Sequence, residues 1–163
     1  MIRTGIGYDI HRFAKGRRLV LGGVVIRHPK GLLGHSDADV LTHAVMDALL
    51  GAVADGDIGR HFPPSDPRWR GADSLDLLRR VAARVRARGG RIVNVDATVL
   101  AEEPKLAPHR ETMCRLLGQA MRTAADRVSV KATTMEGLGP VGRRQGIAAM
   151  AVATVEVRKR GRT

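Results

Sequence analysis

The sequence predicts an α+β fold, a two-layer α/β sandwich in which a mixed sheet of four to five strands carries three helices on one face. Residues 36–53, 74–88 and 108–125 repeat apolar side chains at helical spacing, whereas 2–11, 91–100, 128–132 and 147–157 read as strands. The last of these is apolar on both sides: Ile147, Ala149, Ala151, Ala153 and Val155 share one face, Ala148, Met150 and Val152 the other. A sheet buried on both faces needs two covers. Three helices supply one, and a second copy of the chain is the simplest source of the other.

Each element has its own justification. In strand 2–11, Gly5 and Gly7 permit close backbone approach. Leu19–Leu21 and Val24–Ile26, around Gly22-Gly23, read as one or two short strands returning from it. Helix 36–53 is expected to be capped by Ser36, with Asp39 at capping-box spacing and Val40, Val45, Leu49 and Leu50 facing inward. Residues 54–73 hold Gly, Pro and Asp without a period and predict a long, functional loop. Helix 74–88 buries Leu75, Leu78, Val81, Ala82 and Val85 and stops at Gly89-Gly90. Strand 91–100 alternates. Helix 108–125 aligns Met113, Leu116, Leu117, Ala120 and Met121, strand 128–132 follows, and 137–146 is a glycine-rich loop.

The 163 residues predict one domain over 1–163, large enough to bury a core without disulfides, ending in a basic tail from about 158 to 163. The lone Cys114 suits a reducing compartment and a packing role. No stretch approaches membrane-spanning length, and residues 1–10 lack a signal-peptide layout, so a cytoplasmic location is expected, with no membrane partner. The formal charge of +12 favours anionic partners. Much of it lies on helix surfaces (Arg79, Arg80, Arg84, Arg86, Arg88) and in the tail, and the chain has only Trp69, Tyr8 and two Phe to stack on bases. Nucleic acid is therefore not the expected partner.

The chemistry concentrates around residues 35–47. Asp39, His43 and Asp47 stand four apart on the first helix, a spacing that suits either a solvated polar edge or a metal-binding histidine braced by an acid. Asp9-Ile10-His11 closes the first strand, and spacing of two puts both side chains on one face. With His43 they make two imidazoles and a carboxylate, a set suited to zinc with one position open to substrate. A bare Asp-x-His pair also occurs as satisfied polar residues. His35 and Ser36 are expected at a helix N-terminus, where N–H groups attract phosphate. Asp57, Gly59 and Asp66 fall in the long loop, and Ala132-Thr133-Thr134-Met135-Glu136 ends a strand with hydroxyls and a carboxylate able to hold phosphate oxygens and a hard cation.

Long motifs accompany these residues in order: Gly7-Tyr8-Asp9-Ile10-His11, Gly31 through Asp39, His43 through Gly51, Gly56-Asp57-Ile58-Gly59, Asn94-Val95-Asp96, and Lys131 through Gly139. On them the chain resembles the 2-C-methyl-D-erythritol 2,4-cyclodiphosphate synthases of non-mevalonate isoprenoid synthesis, over about residues 2–157. The resemblance implies a homotrimer with sheets packed together and active sites between subunits. It implies Zn2+ on Asp9, His11 and His43, and a second divalent cation, Mg2+ or Mn2+, held with help from Glu136. His35 and Thr134 match the positions that stabilise the transition state. Ser36, Asp57, Ile58, Gly59, Phe62 and Asp66 match substrate contacts, as does Arg143, a basic position kept near the trimer axis. Ala101, Pro104, Lys105, Leu106, Ala107, Ala132 and Thr133 match the cytidine nucleotide pocket.

The implied reaction is that of a phosphorus–oxygen lyase. The 2-phosphate of the CDP-linked substrate, 4-diphosphocytidyl-2-C-methyl-D-erythritol 2-phosphate, attacks the β-phosphorus and CMP leaves. Pro64 stands where relatives often carry an acid, Pro140 where some carry an aromatic residue, and Gln145 and Met150 where some carry acids near the axis. These departures bear on any regulatory ligand of an axial cavity and leave the metal positions untouched. Two rival readings are a metal-dependent phosphohydrolase and a basic nucleic-acid-binding scaffold.

Overall fold

The computed structural model describes residues 1–158; the tail expected beyond Arg158 lies outside them. Its strands are β1 (Ile2–Ala14), β2 (Leu19–Leu21), β3 (Val24–Ile26), β4 (Gly31–Leu32), β5 (Gly90–Leu100), β6 (Val128–Thr133) and β7 (Gly146–Val157). Its helices are α1 (Val40–Ala52), α2 (Ile58–His61), α3 (Ser74–Ala87), α4 (Arg110–Met121) and α5 (Gly139–Gly142). Five strands form one sheet in the order β4-β1-β7-β5-β6, parallel between β5 and β6 and antiparallel elsewhere. The mixed sheet is thus as expected, at five strands. β2 and β3 do not join it; they form a separate hairpin whose turn, Gly22-Gly23, has both φ values positive, as a two-residue turn of this twist demands.

α1 lies over β1 and β7, α3 beside it near β5, and α4 beside α3 against β6. α1 is apolar nearly all round, and every residue but Asp47 and Gly51 is buried, as befits a helix enclosed by sheet, hairpin and α3. Its seat on β1 is made by glycine. Gly5 and Gly7 alternate with outward Ile6 and Tyr8, and a Cβ on either would run into the α1 carbonyls of Ala48 and Ala44. Two residues further along that same face come Asp9 and His11.

The start of α1 corrects the sequence expectation. Ser36 is not the cap; the helix begins at Val40 and Asp39 caps it, accepting from the Thr42 N–H at 3.0 Å and the Thr42 hydroxyl at 2.7 Å. Asp39 also accepts the N–H groups of Gly22 (2.9 Å) and Gly23 (2.7 Å). A wholly buried carboxylate that meets four donors from two elements outcompetes a serine that meets one, and it joins the hairpin to the helix. Asp39, His43 and Asp47 accordingly do not form a surface line.

Other boundaries shift for local reasons. Residues 54–73 contain α2, capped by Asp57, and a turn of 3-10 helix at Pro67–Trp69 capped by Asp66. α4 is shorter than expected because Ala107–His109 and Ala125–Arg127 are 3-10 turns and Arg122 leaves the helix at a φ of 55°. Leu116 is only partly buried. The alternation of β5 breaks at a bulge between Ile92 and Asn94. The glycine-rich stretch before β7 winds into α5.

The two faces of the sheet contrast. Ile147, Ala149, Ala151, Ala153 and Val155 of β7 are buried under the helices, whereas Met150 and Val152 stand open on the other side, each 42% exposed. Ile6, Tyr8 and Ile10 of β1 extend that open apolar surface. At the base of α1, Asp55 is 1% exposed and receives Arg84 Nε at 2.9 Å and Arg88 Nη2 at 2.5 Å. Burial pushes its carboxyl up, but the guanidinium groups of Arg84 and Arg88 and the nearby His61 outweigh this and hold it below the usual carboxylate range.

Three stability predictions rest on these contacts. Gly7→Ala is expected to cost at least about 1–3 kcal/mol in urea denaturation, because α1 must move off β1. Gly51→Ala, whose Cβ meets only ordinary contacts, is expected to be neutral or to stabilise α1 by up to about 1 kcal/mol. Asp55→Asn is expected to lower stability by about 1.5–3 kcal/mol at neutral pH. Because the folded-state pKa is depressed, that contribution is complete above about pH 4 and fades as pH falls through the lowered value, so the two denaturation curves converge in acid.

Candidate functional site

β1 and α1 bring three donor groups to one point. Asp9 Oδ2 is 2.9 Å from His43 Nδ1 and 3.0 Å from His11 Nε2, and the two ring nitrogens are 3.3 Å apart. The other carboxylate oxygen of Asp9 accepts the Ile10 N–H at 2.8 Å, which fixes the rotamer and leaves Oδ2 for the cluster. Among the described residues this is the group of side chains placed to hold a metal ion. The donor set fits zinc: ligands at about 2.0–2.1 Å in a tetrahedron lie about 3.3 Å from one another, close to the separations seen here. Burial pushes the Asp9 carboxyl up, but hydrogen bonds and charge from His11 and His43 prevail and hold it well below the usual carboxylate range. Burial pushes His43 down, and Asp9 more than reverses this.

His43 is held from behind. Its Nε2 is 3.1 Å from Ser36 Oγ and 3.1 Å from Ser74 Oγ, and no acid among the described residues touches that nitrogen directly. Neither reading of the Asp39-His43-Asp47 spacing, a solvated polar edge or a brace by one of the acids, is met: Asp39 caps the helix, and Asp47 accepts the Ile58 N–H at 2.8 Å, tying α2 to α1. Burial raises the Asp47 carboxyl. Ser74 was not singled out by sequence. Following the Asp73 cap, it reads as an ordinary first residue of a helix, and only the packing of α3 beside α1 turns it toward His43.

The cluster opens into a cavity of about 190 Å³ whose lining joins Asp9, His11, His35, Ser36 and His43 to Met46, Ile58, Gly59, Phe62, Pro64, Trp69 and Leu77. Phe62 and Trp69 meet edge to face at 5.1 Å, so the loop between α1 and α3 forms an apolar wall. Met46, Trp69 and Leu77 are not among the candidate site residues that the sequence singles out. His35 and Ser36 reach this cavity from the segment preceding α1, not from the helix N-terminus as expected, since Asp39 closes that turn. Arg17 steadies the segment through a 2.6 Å bond to the Ser36 carbonyl.

Asp57 and Asp66 do not line the cavity. Each caps the short helix that follows it, and Asp66 also pairs with exposed Arg68 at 2.6 Å. Arg143 is exposed just past α5 and takes no part in the lining. The remaining candidates gather elsewhere, at the ends of β5 and β6. The Ala101 N–H donates to the Thr133 carbonyl at 3.0 Å, Thr134 Oγ1 donates to Glu136 at 2.8 Å, and the Met135 N–H donates to Glu102 at 2.8 Å. Leu106 is buried beneath them, while Ala132, Thr133, Thr134, Glu136, Lys105 and Ala107 are exposed, and Ala101 and Pro104 lie in the connection from β5.

Both groups stand at one end of the sheet, because His11 pairs with Ile147, Leu100 with Ala148, and Leu100 with Thr133. Three strand spacings, about 14 Å, separate them across the sheet.

A family profile described as the YgbB family matches residues 2–156. A 2-C-methyl-D-erythritol 2,4-cyclodiphosphate synthase of Thermosynechococcus vestitus is 59% identical over 155 residues, covering 95% of this chain and 96% of the relative. Among solved structures, the bifunctional IspDF of Campylobacter jejuni superposes with a TM-score of 0.93 at 39% identity, over 97% of this chain and 43% of that longer one. The Plasmodium falciparum IspF in complex with CDP gives a TM-score of 0.84 at 32% identity, over 97% of both chains. No helix among the described residues is long and apolar enough to cross a membrane. The β1–α1 donor cluster, the five-stranded sheet and these end-to-end matches agree: the chain belongs to the YgbB family, that of the 2-C-methyl-D-erythritol 2,4-cyclodiphosphate synthases.

Proposed function

We propose that the chain is a cytoplasmic cyclodiphosphate synthase, one domain over residues 1–163 that works as a homotrimer. It converts 4-diphosphocytidyl-2-C-methyl-D-erythritol 2-phosphate to 2-C-methyl-D-erythritol 2,4-cyclodiphosphate and CMP. The observation that carries the reading is the convergence of Asp9, His11 and His43 at the mouth of a cavity, in a chain 59% identical to an enzyme of that name. Asp9, His11 and His43 hold Zn2+, and Glu136 helps hold a second divalent cation, Mg2+ or Mn2+. Bound there, the ions supply Lewis-acid charge that offsets the repulsion between phosphates as the ring closes.

The chain's own residues do the rest. Ser36, Gly59, Ile58 and Phe62 seat the methylerythritol phosphate in the cavity, with Asp57 and Asp66 shaping the loop that bears them. His35 reaches the cavity and Thr134 approaches from the nucleotide side, both as donors to oxygens that gain charge in the transition state. Ala101, Pro104, Lys105, Leu106, Ala107, Ala132 and Thr133 receive the cytidine nucleotide, and Arg143 adds positive charge toward the shared phosphates. The nucleophile is a phosphate already ionised near neutral pH, with a second pKa of about 6, so no strong base is called for. Tethering makes attack intramolecular, worth up to about 7–11 kcal/mol when aligned.

The trimer reading draws support from the open apolar surface of Ile6, Tyr8, Ile10, Met150 and Val152, which needs a cover. It also accounts for two half-sites about 14 Å apart on one chain, since a neighbour brings its nucleotide half to this chain's metal half.

The decisive assay supplies the CDP-linked substrate with zinc and magnesium and follows products by phosphorus NMR. A cyclic diphosphate with CMP is expected; a ring-opened phosphate would indicate a hydrolase instead. His43→Ala is expected to lose zinc on dialysis and at least about a thousandfold in kcat, given several kcal/mol from the ion, while sedimentation still reports a trimer. Full turnover by the zinc-free variant would defeat the site assignment. Lys105→Ala is expected to raise KM for the CDP-linked substrate about tenfold with kcat nearly unchanged, the signature of lost uniform binding.

A further inference from the structure

We infer that Ser74, backed by Asp37, is the positioning residue that aims His43 at the metal, through a hydroxyl-bridged chain from imidazole to carboxylate. The inference rests on the zinc reading of the Asp9 cluster. His43 turns Nδ1 toward Asp9 and His11, so Nε2 points the other way, into the fold. A neutral imidazole that offers one nitrogen's lone pair to an ion carries its hydrogen on the other, and a buried N–H needs an acceptor. Two hydroxyl oxygens lie at 3.1 Å, those of Ser36 and Ser74. Their surroundings assign them different work.

Ser74 is the first residue of α3 and is fully buried. Its Oγ lies 2.5 Å from Asp37 Oδ1, and an ionised carboxylate only accepts, so the hydroxyl hydrogen is committed to Asp37. The lone pairs of Ser74 Oγ are then left to accept from His43 Nε2–H. Asp37 is itself fixed, accepting the Ser74 N–H on Oδ2 at 3.0 Å and the Asp39 N–H on Oδ1 at 3.2 Å. Two backbone bonds clamp the participating segments: Asp37 N–H to the Ala72 carbonyl at 3.1 Å and Gly71 N–H to the His35 carbonyl at 2.8 Å. The result is the carboxylate brace that metal-binding histidines commonly have, with one serine hydroxyl inserted.

Ser36 stands differently. Its Oγ accepts the Ala38 N–H at 3.1 Å, its hydrogen has no acceptor among the described residues, and it lines the cavity. That hydrogen is available to a phosphate oxygen. Neither Ser74 nor Asp37 lines the cavity, so each acts on the reaction only through His43.

The test is zinc affinity, measured on the full chain by competition with a chromophoric chelator. Ser74→Ala is expected to weaken zinc binding about 10–100-fold, the usual effect of losing such a brace, and to alter the visible spectrum of the cobalt-substituted protein. Asp37→Asn, which keeps size and an acceptor oxygen, is expected to weaken it in the same direction by less, and serves as the test should Ser74→Ala fail to fold. Ser36→Ala is expected to leave zinc affinity within about threefold and to raise KM instead. A folded Ser74→Ala, or failing that Asp37→Asn, with zinc affinity and cobalt spectrum equal to the unaltered protein overturns the inference while the zinc site stands. Failure of the unaltered protein to bind zinc overturns both.

Discussion

The close seating of α1 on β1 is the constraint on which the rest depends. Helix and strand ordinarily stand apart by the depth of two side chains. Here Gly5 and Gly7 remove one layer, so the Ala44 and Ala48 carbonyls lie against the strand itself. Only at that distance does a histidine on the first turn of α1 reach a carboxylate on β1 with its nearer ring nitrogen. Two steps further along the strand face the glycines give way to Asp9 and His11. The gap between helix and strand therefore closes where packing is required and opens into a cavity where chemistry is required. Burial of small residues on the inner side of β7, three alanines among them at positions 149, 151 and 153, keeps the same helix low across the neighbouring strand.

Much of this is legible in the sequence, because it rests on periodicity. Asp9 and His11 had to share a face of a strand, and the apolar period of residues 40–52 had to place His43 on a buried helix. What sequence spacing misjudged were the interactions made across the chain. Ser36 fits a capping pattern locally, yet Asp39 caps the helix because its carboxylate also satisfies the hairpin amides of Gly22 and Gly23. Asp47, whose spacing from His43 suits either a solvated edge or a metal brace, does neither and anchors the Ile58 amide. Ser74 carries no local sign of its contact with His43, since that contact exists only when α3 packs beside α1. Capping rules count donors within one element; a buried carboxylate answers to every donor within reach.

The arrangement of the other half-site follows from strand order. Because β7 enters between β1 and β5, the ends of β1 and β6 share one rim of the sheet without adjoining. A substrate with a nucleotide at one end and a phosphorylated polyol at the other suits a rim with two separate clusters of candidate residues. In the proposed trimer the open apolar side of the sheet is the surface that brings neighbouring rims together. Association would then stabilise the fold and complete the site by the same contact, since Tyr8 and Ile10 alternate along β1 with Asp9 and His11, the strand residues that would hold the metal.

Donor chemistry also explains why the proposed site would divide its two ions between different elements. Asp9, His11 and His43 offer two imidazole nitrogens and one oxygen, a set that favours zinc over a hard cation that requires oxygen throughout. Glu136 and Thr134 offer oxygens only, on an exposed turn where waters and phosphates can fill the remaining positions. The nitrogen-rich set is built into packed secondary structure, with Asp9 locked by its own Ile10 amide and His43 gripped by two hydroxyls. The oxygen set sits on a turn in which Glu136 adopts a φ of 51°. Rigidity suits an ion that stays and must keep a fixed geometry through every turnover. In the proposed site the two ions would thus be divided by where the chain places its nitrogens and where it places its oxygens.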